Sequence, residues 1–119
     1  RTRGNSGDGL VKSGFVTVGT SDVTITCGFE PKKIMWYKLA YSGSDWTQGS
    51  YILFYDSDMV AGKQFRVYNS TALRADVLTC PDPSNISRIS SITSTGFTVH
   101  YNSTIASYFQ GTYYYVAVG

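Results

Sequence analysis

The sequence predicts an all-β fold, an antiparallel two-sheet β-sandwich with a jelly-roll-like arrangement. No window of eleven or more residues repeats apolar positions at i, i+3, i+4 and i+7 without an interrupting Gly, Pro or polar cluster, which argues against amphipathic helices. About eight short segments instead carry strand patterns, and turn residues separate them. Short strands at such intervals are typical of sandwiches and jelly rolls.

Length and charge restrict the domain organisation and the partners. A chain of 119 residues holds one hydrophobic core, so we expect a single domain over residues 13–119 and a linker, or a fragment of an upstream segment, over residues 1–12. The formal charge is only +2 and the basic residues are scattered, so no nucleic-acid partner is expected. No apolar run approaches the roughly 20 residues that span a bilayer, so no membrane insertion is expected.

The first part of the chain contains five predicted strands, over residues 14–18, 23–27, 33–40, 51–55 and 64–68. In the second of them Val23, Ile25 and Cys27 alternate with threonines, as in a half-buried antiparallel strand. The third is apolar on both faces and is expected to be covered on both sides. The segment that follows it, residues 41–49, is predicted to be a polar loop.

The second part is predicted to contain a loop over residues 69–76, at most a short strand over 77–80, and a hairpin of residues 86–93 and 97–101 with Gly96 in its turn. In the closing strand, residues 112–118, both alternating sets of side chains are apolar. One set can meet the core. The other either meets a symmetry mate, since interfaces are enriched in Tyr, or is buried because the strand lies in the middle of the monomer's own sandwich.

The segment Val-Thr-Ile-Thr-Cys27 with Trp36 resembles strands B and C of an immunoglobulin variable domain. This resemblance implies an adhesion domain with a disulfide between Cys27 and Cys80, which would stabilise the fold by about 3–4 kcal/mol. Two free buried thiols are the alternative, because spacing alone does not place the two residues within bridging distance. The pattern departs from the family at Leu78, where the tyrosine corner needs Tyr, and in the long segment after Cys80.

A second resemblance covers the chain from about Gly14 to the end. The matching segments are Gly14-Phe15-Val16, Gly28-Phe29-Glu30-Pro31-Lys32, Ser-Ile-Thr-Ser-Thr-Gly-Phe-Thr-Val over residues 91–99, and Tyr-Tyr-Val-Ala-Val-Gly at the end. In order and spacing they resemble the C-terminal β-sandwich modules of bacteriophage tail-fibre and receptor-binding structural proteins, and the pattern is similar to that of H-type lectins. The chain departs from these modules at Cys27, and it lacks a lectin's His or Asp/Arg sugar-binding set.

That resemblance implies a non-enzymatic virion protein, extracellular on the phage tail, that attaches as a homotrimer to a host cell-surface glycan. An assembly or trimerisation domain of a virion structural protein, without a ligand of its own, is the alternative. The immunoglobulin-like adhesion domain is a further one.

Catalytic and metal chemistry have little support in the sequence. His100 alternates onto the polar face of its predicted strand, and no nucleophile elbow, P-loop or His/Cys metal spacing occurs. Asp45, Asp56 and Asp58 offer hard oxygen ligands, but an Asp-rich turn is more often simply solvated. We therefore expect no enzyme, no cofactor and no metal.

Carbohydrate binding needs an exposed aromatic ring beside short polar side chains, because sugars stack their C–H faces on rings and hydrogen-bond through their hydroxyls. The segment around Trp46 has this composition. The predicted site residues are Trp46, Tyr41, Asp45, Tyr51 and Tyr55. The alternative is that Trp46 folds back as a lid over one end of the core.

Overall fold

A computed structural model describes residues 9–58, 61–83 and 88–119. Within these ranges the chain forms strands and one 3₁₀ helix, Ser107–Phe109. The strands are β1 Val11–Val18, β2 Val23–Thr26, β3 Lys33–Lys38, β4 Tyr41–Ser42, β5 Asp45–Trp46, β6 Tyr51–Asp56, β7 Lys63–Asn69, β8 Leu73–Thr79, β9 Arg88–Thr93, β10 Gly96–His100 and β11 Gly111–Val118.

Two antiparallel sheets of unequal size form the sandwich. The larger has the order β1-β11-β3-β6-β7-β8 and the smaller has the order β2-β10-β9. The chain changes sheet between β1 and β2, β2 and β3, β8 and β9, and β10 and β11. The predicted all-β antiparallel sandwich is thus confirmed. β1 begins at Val11, so the last two residues of the predicted linker pair with the end of β11, and residues 1–8 lie outside the described ranges.

The core lies between the two sheets and is built around Trp36 of β3, which is 0% exposed. The indole lies nearly parallel to Tyr113 and Tyr115, with ring centroids 5.7 and 6.0 Å away, and it meets Phe97 of the smaller sheet edge-on at 6.0 Å. Its Nε1–H donates to the Tyr101 hydroxyl at 2.9 Å, so the polar atom of this buried side chain is paired.

Within the described chain, the opposite face of the larger sheet is covered only beside Val67, where the β4–β5 hairpin lies against it. Met35, on β3, is 36% exposed, and on β11 Tyr114 and Val116 are 49% and 38% exposed. The prediction that β3 is covered on both sides is therefore wrong for the monomer, because the smaller sheet can lie on one face only. For the same reason β11 does not lie in the middle of the monomer's own sandwich, which was one of its two interpretations.

Two segments predicted as loops contain strands. Residues 41–49 include the small hairpin of β4 and β5, and residues 69–76 include the first half of β8. β8 lies at the edge of its sheet and carries Arg74 and Asp76, whose charges hide the strand pattern in the sequence. The predicted hairpin is present as β9 and β10, although its first residues, 86 and 87, lie outside the described part of the chain.

Cys27 and Cys80 are both free, so the disulfide implied by the immunoglobulin resemblance is absent. Cys80 is buried and Cys27 is half-buried against the core. Burial raises the pKa of the Cys80 thiol to about 12 and raises that of Cys27 as well, so both stay protonated at neutral pH. They act as small apolar side chains.

Gln64 joins the two sheets at the end where the chain passes from β8 to β9. Its side chain is 0% exposed. Nε2 donates to the carbonyl oxygens of Thr79 at 2.9 Å and Ile89 at 3.0 Å, while Oε1 accepts from the Ile89 N–H at 2.9 Å. One amide therefore hydrogen-bonds backbone groups of β8 in the larger sheet and of β9 in the smaller sheet.

The substitution Gln64→Glu is expected to lower the free energy of unfolding by about 3 kcal/mol at pH 7, because a buried carboxylate would face two carbonyl oxygens. Those surroundings raise the folded-state pKa of the introduced carboxyl above its unfolded value of about 4.3, so the loss of stability grows as pH rises from that value and is small at more acidic pH. Urea unfolding at pH 4 and pH 7 measures this difference. Gln48→Glu, at an exposed site, is the matched control and should change stability by less than about 1 kcal/mol at both pH values.

Candidate carbohydrate-binding cleft

The β4–β5 hairpin places Trp46 on the surface of the sandwich. Tyr41 pairs with Trp46 and Ser42 pairs with Asp45, and Gly43 takes the positive φ of 63° that the two-residue turn requires. The hairpin is fixed to the larger sheet by the Asn69 Nδ2, which donates to the Trp46 carbonyl oxygen at 3.1 Å. The indole is 42% exposed and does not lie over an end of the core, contrary to the lid interpretation.

The base of the hairpin is held by Lys38. Its ammonium donates to the carbonyl oxygens of Tyr108 at 2.6 Å and Gly49 at 3.5 Å, and burial lowers the pKa of the side chain. Gly49 has a φ of +110°, and a Cβ there would lie 2.6 Å from the Tyr108 oxygen. Only glycine therefore allows the backbone after the hairpin to approach the 3₁₀ segment this closely.

A cleft of about 530 Å³ lies between the hairpin and the larger sheet. The hairpin contributes Ser44, Asp45 and Trp46, and the ends of β7 and β8 contribute Val67, Asn69 and Leu73. An exposed indole beside a carboxylate and an amide offers the stacking surface and the hydrogen-bonding groups that a sugar ring requires. The volume lies within the range of small-molecule sites.

The predicted site residues fall into two groups. Trp46 and Asp45 line the cleft, and Tyr41 is 70% exposed on the same hairpin, outside the lining. Tyr51 and Tyr55 do not join them, because both point inward from β6. Tyr51 is 2% exposed and packs edge-on against Phe109, and burial raises the pKa of its hydroxyl to about 12. Tyr55 packs against the core four residues further along the strand, toward its other end.

Sequence reasoning missed the sheet side of the cleft, Val67, Asn69 and Leu73. The alternation along the predicted strand of residues 64–68 places Val67 on the same face as Phe65. It does not indicate whether that face is exposed to solvent. Leu73 fell within the predicted loop of residues 69–76. β8 brings it opposite Asn69 of β7, so this wall of the cleft depends on the pairing of β7 with β8.

His100, Asp56 and Asp58 form structural contacts. The His100 Nδ1 lies 2.6 Å from the Asp22 carboxylate, which also accepts from the Tyr101 backbone N–H at 3.3 Å. Asp56 and Asp58 both lie beside the Lys33 ammonium, at 3.5 and 3.1 Å, and Asp45 is in the hairpin. Across the described ranges, no group of three or more His, Cys, Asp or Glu is arranged to hold a metal ion.

Comparisons of the chain with protein-family models, with curated proteins and with solved structures give no match. No helix among the described residues has the length and apolar character needed to cross a membrane. The site is therefore interpreted from its own geometry.

Proposed function

We propose that the chain is a non-enzymatic module of a bacteriophage tail-fibre or receptor-binding protein, which attaches to host-surface carbohydrate in the Trp46 cleft. The module acts as a homotrimer on the virion tail, so that several weak sites bind together with higher avidity. The resemblance of its segments to tail-fibre modules suggests the virion setting, and the confirmed sandwich is compatible with it.

The observation that carries the proposal is the composition of the cleft. Trp46 is 42% exposed and lines the cleft together with Asp45, which carries a carboxylate, and Asn69, which carries an amide. The Asn69 backbone N–H donates to the Ser50 carbonyl oxygen at 2.9 Å and its amide donates to the hairpin, which orders the polar wall before a ligand arrives. Preordered groups reduce the entropy lost when a ligand binds.

The substitution Trp46→Ala is expected to weaken glycan binding at least tenfold, about 1.4 kcal/mol, because the stacking surface is lost. The probes are an array of bacterial lipopolysaccharide and cell-wall polysaccharides, followed by calorimetry on those that bind. Asp45→Asn should weaken the same interaction. Asp58→Asn, an exposed carboxylate at the other end of the larger sheet, is the matched control and should leave it unchanged.

Wild-type protein that binds none of these polysaccharides would contradict carbohydrate attachment and favour an assembly domain without a ligand. Binding that survives Trp46→Ala unchanged would place the site elsewhere on the molecule.

The alternative function, an assembly module of a virion structural protein, is favoured by one specific observation. The larger sheet leaves an apolar face uncovered, as the exposures of Tyr114 and Val116 show. This face suits a protein partner better than a sugar.

A further inference from the structure

The uncovered face of the larger sheet carries two continuous rows of side chains that cross all six of its strands. We call these twelve residues the outer face. The first row is Phe15, Tyr114, Tyr37, Ile52, Val67 and Ala75, and the second is Ser13, Val116, Met35, Phe54, Phe65 and Val77. Only Ser13 lacks an apolar body, and the aromatic rings pack on one another, with Tyr37 and Tyr114 stacked at 5.9 Å and Phe54 and Phe65 at 6.2 Å.

The most exposed members of the outer face are large. Phe15 is 72% exposed and Val77 is 58% exposed, and they lie on the two edge strands. Beyond the rows, Val11 and Leu73 are each 61% exposed. A contiguous apolar surface of this extent on a monomer marks an interaction site.

The smaller sheet shows what a solvated face of this protein looks like. There Thr24 and Thr98 are paired across the strands and bond through their hydroxyls at 3.0 Å, and Ser91 pairs with Thr98 on the other side. The chain thus places hydroxyls where a face meets water. The outer face breaks this pattern, so its apolar composition is not a general property of the protein's surface.

The charge distribution limits the kind of partner. Neither row contains Lys, Arg, Asp or Glu. Directly beyond the second row are Lys33 and Asp56, whose ammonium and carboxylate lie 3.5 Å apart, and the exposed Lys63. A nucleic acid, an acidic peptide or a charged polysaccharide finds no counter-charge within the two rows. A matching partner must itself present an uncharged apolar surface, and another copy of this chain presents one of equal size.

The area is large enough for such a contact. Six strands about 4.8 Å apart make the face about 29 Å wide across the strands. Along the strands, the two rows are about 7 Å apart, and the exposed residues before and after them extend the face to about 20 Å. Each copy therefore contributes roughly 600 Å², so two contribute roughly 1,200 Å², which reaches the lower end of stable interfaces. Tyr, Phe and Met are also the residues enriched in interface cores.

We infer that the outer face is the surface through which copies of this chain assemble. The inference rests on the oligomer in the proposed function and names its interface. Val67 belongs both to the outer face and to the Trp46 cleft. The cleft therefore adjoins the proposed interface.

Multi-angle light scattering at about 100 μM tests the inference. Wild-type protein is expected to have at least twice the 13.1 kDa mass of the chain, and three times that mass for the proposed homotrimer. The double variant Phe15→Glu/Val116→Glu, far from the cleft, is expected to be a monomer, because assembly would bury its carboxylates without partners. Thr24→Glu places the same charge on the polar face of the smaller sheet and should leave the mass unchanged.

Wild-type monomer at this concentration would overturn the inference, as would a double variant that assembles like the wild type. Circular dichroism shows whether the double variant keeps its β-sheet spectrum and a cooperative melting transition. If it does not fold, Phe15→Glu alone, at the most exposed position, decides the result. The mass is measured without glycan, so a failure of assembly and a failure of carbohydrate binding are separate results.

Discussion

Replacing Trp36 with alanine is expected to lower the free energy of unfolding by about 3–5 kcal/mol, a large part of the 5–15 kcal/mol that stabilises a typical domain. The side chain is 0% exposed and contacts rings from both sheets, so neither sheet can move to fill the cavity without losing contacts of its own. The Tyr101 hydroxyl also loses its indole donor. Urea unfolding followed by circular dichroism measures the change.

Two further variants separate the contributions to this effect. Trp36→Phe keeps much of the apolar volume and should cost clearly less than the alanine variant, and Trp46→Ala, at a surface indole that is 42% exposed, should cost less than about 1 kcal/mol. A loss below about 1 kcal/mol in Trp36→Ala would mean that the two sheets are not held together at this residue.

Gly96→Ala is expected to destabilise the fold by at least about 3 kcal/mol, since inserting atoms into closely packed backbone forces strands apart. A Cβ at this position would overlap the carbonyl oxygen of Ile25 and lie 3.0 Å from its carbon. Gly96 pairs with Thr26, so relief of the overlap separates β10 from β2 at the start of their ladder. Thermal and urea unfolding measure the loss.

Gly19→Ala is the matched control, because a Cβ there meets nothing within 4 Å. The φ of Gly19 is not in the positive region, so alanine fits the folded backbone without strain. The substitution should be neutral or stabilise the protein by up to about 1 kcal/mol, because alanine reduces the conformational entropy of the unfolded chain. If both alanine variants are equally stable, the close approach of the β2 and β10 backbones is incorrect.

Much of the fold could be predicted from local patterns. The alternation of Val23 and Ile25 with threonines, and of Phe97 and Val99 with Thr98, indicates half-buried strands wherever the polar set is clear. The end of β8 falls within the short strand predicted for residues 77–80, but its first half could not be recognised, because exposed edge strands mix charges with apolar residues. The short hairpin of β4 and β5 could not be predicted, because a strand of two residues is too short to show an alternation of apolar and polar side chains.

The candidate site could be predicted only in part. Composition drew attention to Trp46 and Asp45, which line the cleft, because an exposed indole beside polar residues is a local feature. Tyr51 and Tyr55 were chosen for their residue type, but their positions in β6 turn both toward the core. Val67 and Leu73 belong to other strands, so only the pairing of β7 with β8 brings them to the hairpin.

Local patterns are enough to establish that this chain folds into strands with two distinct faces, since side chains alternate along any extended backbone. The same patterns establish that β3 and β11 are apolar on both faces. Which of those faces is covered depends on the unequal sizes of the two sheets, and local patterns do not contain that information. The three-stranded sheet, with Phe97 against Trp36, covers one face of the larger sheet, and the other, with Phe15 and Tyr114, is exposed.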